Sequence, residues 1–167
     1  MNFRSDNEVG AHPVVLEAVT RAFSGGGTAP SYGADEWTHR VERRLQDIFE
    51  KPDLVAFPVA TGTAANSLAL SCCTPSWGSI YCHAEAHIVV DEANAPEFFT
   101  SGAKLCTLPG AAGKIDQKKL AEALAQPVYG VVHHPQPAAV SITQATECGT
   151  VYGPDEVTAI ATTAHRH

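Results

Sequence analysis

Charge is scarce in this chain, and the little there is leans acidic. Asp, Glu, Lys and Arg make up 17% of the 167 residues, and 18 acidic side chains against 11 basic ones leave a formal net charge of -7. No run of five like charges occurs. That balance excludes a nucleic-acid or anionic-membrane surface, since both demand clustered Lys and Arg. Paired cysteines are missing too. Cys72, Cys73, Cys82, Cys106 and Cys148 are odd in number and contain no CxxC. Disulfide frameworks and structural zinc sites use short paired spacings. These five therefore read as small hydrophobes in a reducing cytosol. Residues 1–8 carry charges and no apolar core, so a secretory leader is not expected and the protein is placed in the cytoplasm. Between Leu54 and Ala84 there is no charge at all, but Pro58, Gly62, Asn66, Pro75 and Gly78 break the run. A membrane span needs about 20 mainly apolar residues without such breaks. This stretch reads as buried strand, loop, helix and strand, and a second uncharged stretch, Ala123 to Thr146, reads as core.

The length fits one domain or part of a larger one. A compact domain of this size buries roughly 68–70% of its unfolded surface, enough for a core. Pro13 opens a helix through Phe23, and Ser24 to Thr28 is a glycine-rich break. Trp37, Val41, Leu45 and Ile48 recur at helical spacing, with Asp35 as the cap and Arg40, Arg43 and Arg44 on the solvated faces. Strands are predicted at Leu54–Phe57, Ser79–Cys82, Lys104–Leu108 and Tyr129–His133. Helices are predicted at Ala64–Cys73, in part of 88–100, at Gln117–Ala125 and from Pro154 onward, where Asp155 and Glu156 suit the helix dipole. Strands alternating with helices predict an α/β fold with a mostly parallel sheet.

Three segments could carry chemistry. Thr61-Gly62-Thr63 lies between a predicted strand and a helix. Free amides at a helix start, with hydroxyls beside them, make an anion pocket, and a strand-to-helix turn capped by Thr is the plainer alternative. It is neither a Walker A loop nor GxGxxG. His83-Ala84-Glu85-Ala86-His87 places two histidines four apart. On a helix they could hold zinc, but HExxH is not met, and the P-C-x-x-C partner of a deaminase H-x-E is absent. Two loop histidines with hydrogen-bonded rings remain the alternative. His133-His134-Pro135-Gln136-Pro137 follows a predicted strand, and ligands of open α/β sheets gather at carboxyl ends of strands. At most one of the two rings is expected to face a ligand.

Ser5-Asp6-Asn7, Ser31-Tyr32-Gly33-Ala34-Asp35, Thr61-Gly62-Thr63-Ala64-Ala65-Asn66 and Ala86-His87-Ile88 to Asp91-Glu92 occur in one order. Together they resemble the L-threonine aldolases, lyases dependent on pyridoxal 5'-phosphate within the aspartate-aminotransferase fold (fold type I), with the β-eliminating lyases close by. The resemblance implies a mostly parallel sheet with helices on both faces. Residues 1–30 would be an N-terminal helix and active-site arm, and 31–167 the N-terminal part of the cofactor-binding large domain. Thr61, Gly62 and Thr63 would hold the cofactor phosphate, and His87 would stack on its ring. Ser5 would bind the substrate carboxylate, and Tyr32 would lie near the active site. His133 or His134 would supply the catalytic histidine near the substrate hydroxyl. No metal is implied. The partners would be a small amino-acid substrate and either further copies, as a dimer or tetramer, or a complementing C-terminal part.

The family's pyridine-pairing Asp, carboxylate-binding Arg and Schiff-base Lys follow the last helix. Lys51, Lys104, Lys114, Lys118 and Lys119 match none of that pattern. The expectation is therefore a fragment that lacks the Schiff-base lysine. Two alternatives stand beside it. One is a non-catalytic chain that binds cofactor or assembles. The other is a metal-dependent hydrolase using His83, His87 and His133 or His134.

Overall fold

A computed structural model of the chain describes residues 8–126 and 129–167. The chain divides into two compact units, the first ending at Pro58 and the second running from Val59 to His167. That divide lies farther along the chain than the boundary after Pro30 read from the sequence.

In the first unit, helix α1 spans Pro13–Ser24 and α2 spans Glu36–Phe49. Proline suits the first turn of α1 because its missing N–H has no helical partner to lose. The Val14 N–H is taken by His12 Nδ1 at 3.3 Å. At α2, the Asp35 carboxylate accepts from the Thr38 N–H at 2.9 Å and from its hydroxyl at 2.7 Å. The Arg40 guanidinium covers Trp37 at 5.0 Å from the ring centre, while Trp37, Val41 and Ile48 remain exposed. The strand expected at Leu54–Phe57 does not form. Gln46 Nε2 donates to the Leu54 carbonyl and the Ala56 N–H to Glu42 Oε1, so α2 side chains take the backbone groups a ladder would have used.

The second unit is a three-stranded parallel sheet with helices on both faces. In chain order it holds α3 (Gly62–Cys73), β1 (Gly78–His83), α4 (His87–Val90), α5 (Ala95–Phe99), β2 (Lys104–Leu108), α6 (Gln117–Leu124), β3 (Gln136–Val140) and α7 (Pro154–Ala164). The strand order is β2-β1-β3, with both pairings parallel. All six residues of central β1 are buried, as an uncharged strand covered on both faces requires. Its side chains alternate between two cores. Ile80 and Cys82 join Leu70, Ala86, Ile88 and Ala103 on one face. Tyr81 joins Leu108, Ile115, Leu120, Leu124, Tyr152 and Ile160 on the other.

Strand β3 corrects the sequence. The strand predicted at Tyr129–His133 is absent, since the described residues there are turns, and Val132 is 97% exposed. The ladder begins instead at Gln136 and carries a register shift opposite Ser79 and Ile80, which accommodates Pro137. Proline is tolerated at an edge strand or bulge because one missing N–H there breaks no central ladder. Pairing places Ala139 beside Ile80 and Val140 beside Tyr81, so each faces the matching core.

Candidate functional site

Helix α3 ends four residues before β1 begins, so its N-terminus lies at the sheet edge where β1 finishes. Thr61 caps it with extended backbone, and its hydroxyl accepts from the Ala64 N–H at 3.1 Å. The Ala65 N–H bonds the Thr61 carbonyl. The Gly62 and Thr63 N–H groups come first in the helix and have no intrahelical acceptor. Among the described residues, nothing lies within 4 Å of where a Cβ on Gly62 would stand, so the backbone there is open to a ligand. Two free amides, two hydroxyls and a helix dipole make a cradle for a phosphate or carboxylate.

The two histidines after β1 differ. His83 is buried and both ring nitrogens are occupied. Its Nδ1 accepts the Glu85 N–H at 3.1 Å, so Nε2 carries the proton and donates to the Gly110 carbonyl at 3.2 Å. It clamps two loops together and has no ring nitrogen left for a metal. Among the described residues, no group of three His, Cys, Asp or Glu side chains stands where it could hold a metal ion.

His87 opens α4 with its side chain 42% exposed, and its Nδ1 meets Glu92 Oε1 at 2.8 Å. The same oxygen accepts from Asn66 Nδ2 at 2.6 Å. Asn66 stands three residues after Thr63, one turn along the same face of α3. The N-terminal part of α3 and His87 are thus joined by a single buried carboxylate. The Glu92 hydrogen bond raises the His87 pKa above the ordinary histidine value, and the charges of Glu92, Glu147 and Asp91 add to this against a smaller cost of burial. Glu147 belongs to the loop after β3, which continues over the end of β1 through a hydrogen bond from the Ser141 N–H to the Tyr81 carbonyl. A narrow cleft at that end is lined by His83, Glu85, Thr143, Thr146 and Glu147.

His133 and His134 do not join this group, which corrects the placement expected for them. They precede β3 and line a cleft with Trp77, Gly78 and Lys104, at the edge where β1 and β2 begin. The reason is the shifted strand: a ladder starting at Gln136 puts residues before it at the amino edge. Tyr32 lies in the first unit, fully exposed with φ of 62°. Ser5 lies outside the described residues. Asn66 and Glu92 were given no role by sequence reasoning. Their signals were present, as a lone amide inside an uncharged helix and a carboxylate soon after an apolar turn, but only the fold brings them together.

Known proteins place this geometry in context. A profile described as beta-eliminating lyase matches residues 2–167. The chain is 42% identical over 161 residues to the low specificity L-threonine aldolase of Pseudomonas sp. (strain NCIMB 10558), covering 96% of this chain and 45% of that one. It is 40% identical to the low specificity L-threonine aldolase of Pseudomonas aeruginosa, with the same coverage. A solved structure of Leishmania major threonine aldolase superposes with a TM-score of 0.88 at 28% identity, over 98% of this chain and 46% of that one. The chain therefore spans less than half the length of each of these relatives.

Proposed function

Because the chain belongs to the beta-eliminating lyase family and carries the α/β fold of a fold type I pyridoxal-phosphate enzyme, we propose that its second unit forms the phosphate-binding part of a lyase site. That lyase cleaves L-threonine or a related β-hydroxy-α-amino acid to glycine and an aldehyde. The observation that carries this reading is the hydroxyl-capped, glycine-first N-terminus of α3 tied through Asn66 and Glu92 to His87. The donor set fits the cofactor: amides and hydroxyls for a phosphate dianion, and a half-exposed imidazole for an aromatic ring. Pyridoxal phosphate, when bound, supplies the electron sink for the carbanion left as the aldehyde departs.

The residues of this chain bind and orient. The Gly62 and Thr63 amides and the Thr61 and Thr63 hydroxyls hold the phosphate. His87 covers the ring, with its Nδ1 proton held by Glu92. Ser5 and Tyr32 belong to the substrate side, and residues 31–167 to the cofactor-binding large domain. His133 and His134 have no part in the proposal, because the amino edge of the sheet is the wrong end. Lysine chemistry is not supplied from here either. Lys114 pairs with Glu156, Lys104 starts β2 at the amino edge, Lys118 and Lys119 lie on α6, and Lys51 pairs with Asp53. The chain alone accordingly binds cofactor without turning over substrate, and activity requires a complementing C-terminal part that supplies the lysine. A cytoplasmic setting suits its five free thiols. Among the described residues, no helix is long and apolar enough to cross a membrane.

The test is fluorescence titration with pyridoxal 5'-phosphate and with pyridoxal. The phosphate ester binds, and pyridoxal binds at least tenfold more weakly, a difference of about 1.4 kcal/mol. Equal affinity for the two would overturn the assignment of the α3 N-terminus. Borohydride trapping with peptide mapping runs alongside. Specific labelling of one of the five lysines, with acetaldehyde release above a cofactor-only control, would show that the catalytic lysine lies within this chain.

A further inference from the structure

We propose that Glu92 is a positioning residue for His87: one of its oxygens, shared between His87 Nδ1 and Asn66 Nδ2, fixes the imidazole and ties it to the N-terminal half of α3. The carboxylate belongs to a residue only 4% exposed, and its side chain is fully buried. Oε1 takes both short contacts, 2.8 Å to His87 and 2.6 Å to Asn66. Oε2 is buried with no hydrogen-bond partner among the described residues.

A carboxylate in that setting is costly. Burying an acceptor without a partner costs about 1–3 kcal/mol, and more when the group is charged. A glutamate serving only as filler would be better replaced by an apolar residue, which loses no solvation. What offsets the cost here is the proton on His87 Nδ1. An ionised Glu92 favours the imidazolium, and the charge-assisted bond orients the ring. Asn66 donates to the same oxygen from the helix that begins at Thr61, so the ring's position is referenced to that helix. The other charged groups facing His87 are Asp91, from its own loop, and Glu147, from the loop after β3. Both act through charge alone, whereas Glu92 also makes the bond. That His87 meets a cofactor ring rests on the function proposed above. The positioning itself does not.

The experiment is an NMR titration of the histidine rings in the cofactor-free chain, with His87 assigned through H87Q. In the unsubstituted protein His87 titrates above an ordinary histidine, with Nδ1 protonated. In E92Q its midpoint falls. In N66A it rises or holds, because the carboxylate loses the Asn66 donor and leans harder on the imidazolium. E147Q produces a smaller fall than E92Q. A fall in E92Q no larger than that in E147Q, or a fall in N66A, overturns the proposal. The second readout is pyridoxal 5'-phosphate affinity, which E92Q weakens by about tenfold, or 1.4 kcal/mol, and Glu92→Asp weakens less. If the His87 midpoint follows the predicted pattern but the unsubstituted chain binds no cofactor, the positioning stands and the cofactor assignment fails. If cofactor binds but E92Q leaves the His87 midpoint unmoved, the positioning role is lost.

Discussion

His83 and His87 stand four residues apart and do opposite work. The first has both nitrogens committed to backbone, and the second keeps one side of its ring toward solvent. At this scale the start of α3 is capped by the Thr61 hydroxyl. Thr61→Ala removes the acceptor for the Ala64 N–H and should cost about 1 kcal/mol of stability, read by urea unfolding. The same change weakens cofactor binding, and Thr61→Ser restores both. A loss of stability with unaltered affinity for pyridoxal 5'-phosphate would mean that the cap is structural only. Gly113 also has no slack. Its φ is +78°, and a Cβ there would stand 2.8 Å from the Thr146 side chain. That side chain is buried and bonds the Ala112 carbonyl at 3.2 Å. Gly113→Ala therefore strains the backbone and displaces a knot beside the cleft, at a cost of about 1–3 kcal/mol.

Among the elements, α6 and α7 show how a helix is held from its ends and from its buried face. In α7 the Glu156 carboxylate accepts from the Gly153 N–H at 2.6 Å, capping the helix start. It also receives Lys114 Nζ at 2.8 Å, which ties α7 to the loop after β2. Tyr152, just before α7, holds the core through its hydroxyl oxygen, which accepts the Ile115 N–H at 2.6 Å. Helix α6 presents Leu120 and Leu124 inward, at 0% and 3% exposure. Leu120→Ala leaves a void between α6, α7 and the sheet and should destabilise the unit by about 2–5 kcal/mol. Thermal or urea unfolding decides the magnitude, and a cost under 1 kcal/mol would mean that the helix collapses onto the gap.

For the whole molecule, three shifted groups set a pH window. Thr38 hydrogen bonds hold the Asp35 carboxyl below the usual range, and Lys114 with the Gly153 N–H does the same for Glu156. Their contributions are complete above about pH 4.3, the ordinary carboxylate value, and are lost as pH falls through the depressed folded values. His87 is raised, so its contribution is complete below about pH 6.5 and is lost as pH rises through the folded value. All three are complete together only between those limits. Urea midpoints measured across pH should fall on both sides of that window, and E92Q should flatten the alkaline side. The sequence by itself determined the α/β class, α1, α2, the start of α3, β1, β2, α6 and the opening of α7, because period, caps and prolines are local. It also determined the Thr61 cap of α3, since a capped helix start is legible in a few residues. Tertiary structure alone decided the rest. The apolar run at 129–133 lost to Gln136–Val140 because the register of β1 places Ala139 and Val140 against the cores and tolerates a proline at the bulge. That shift moved His133 and His134 to the far edge of the sheet. The bond joining Asn66, Glu92 and His87 spans 26 residues of chain, and no local pattern announces a carboxylate whose value comes from two donors on different helices.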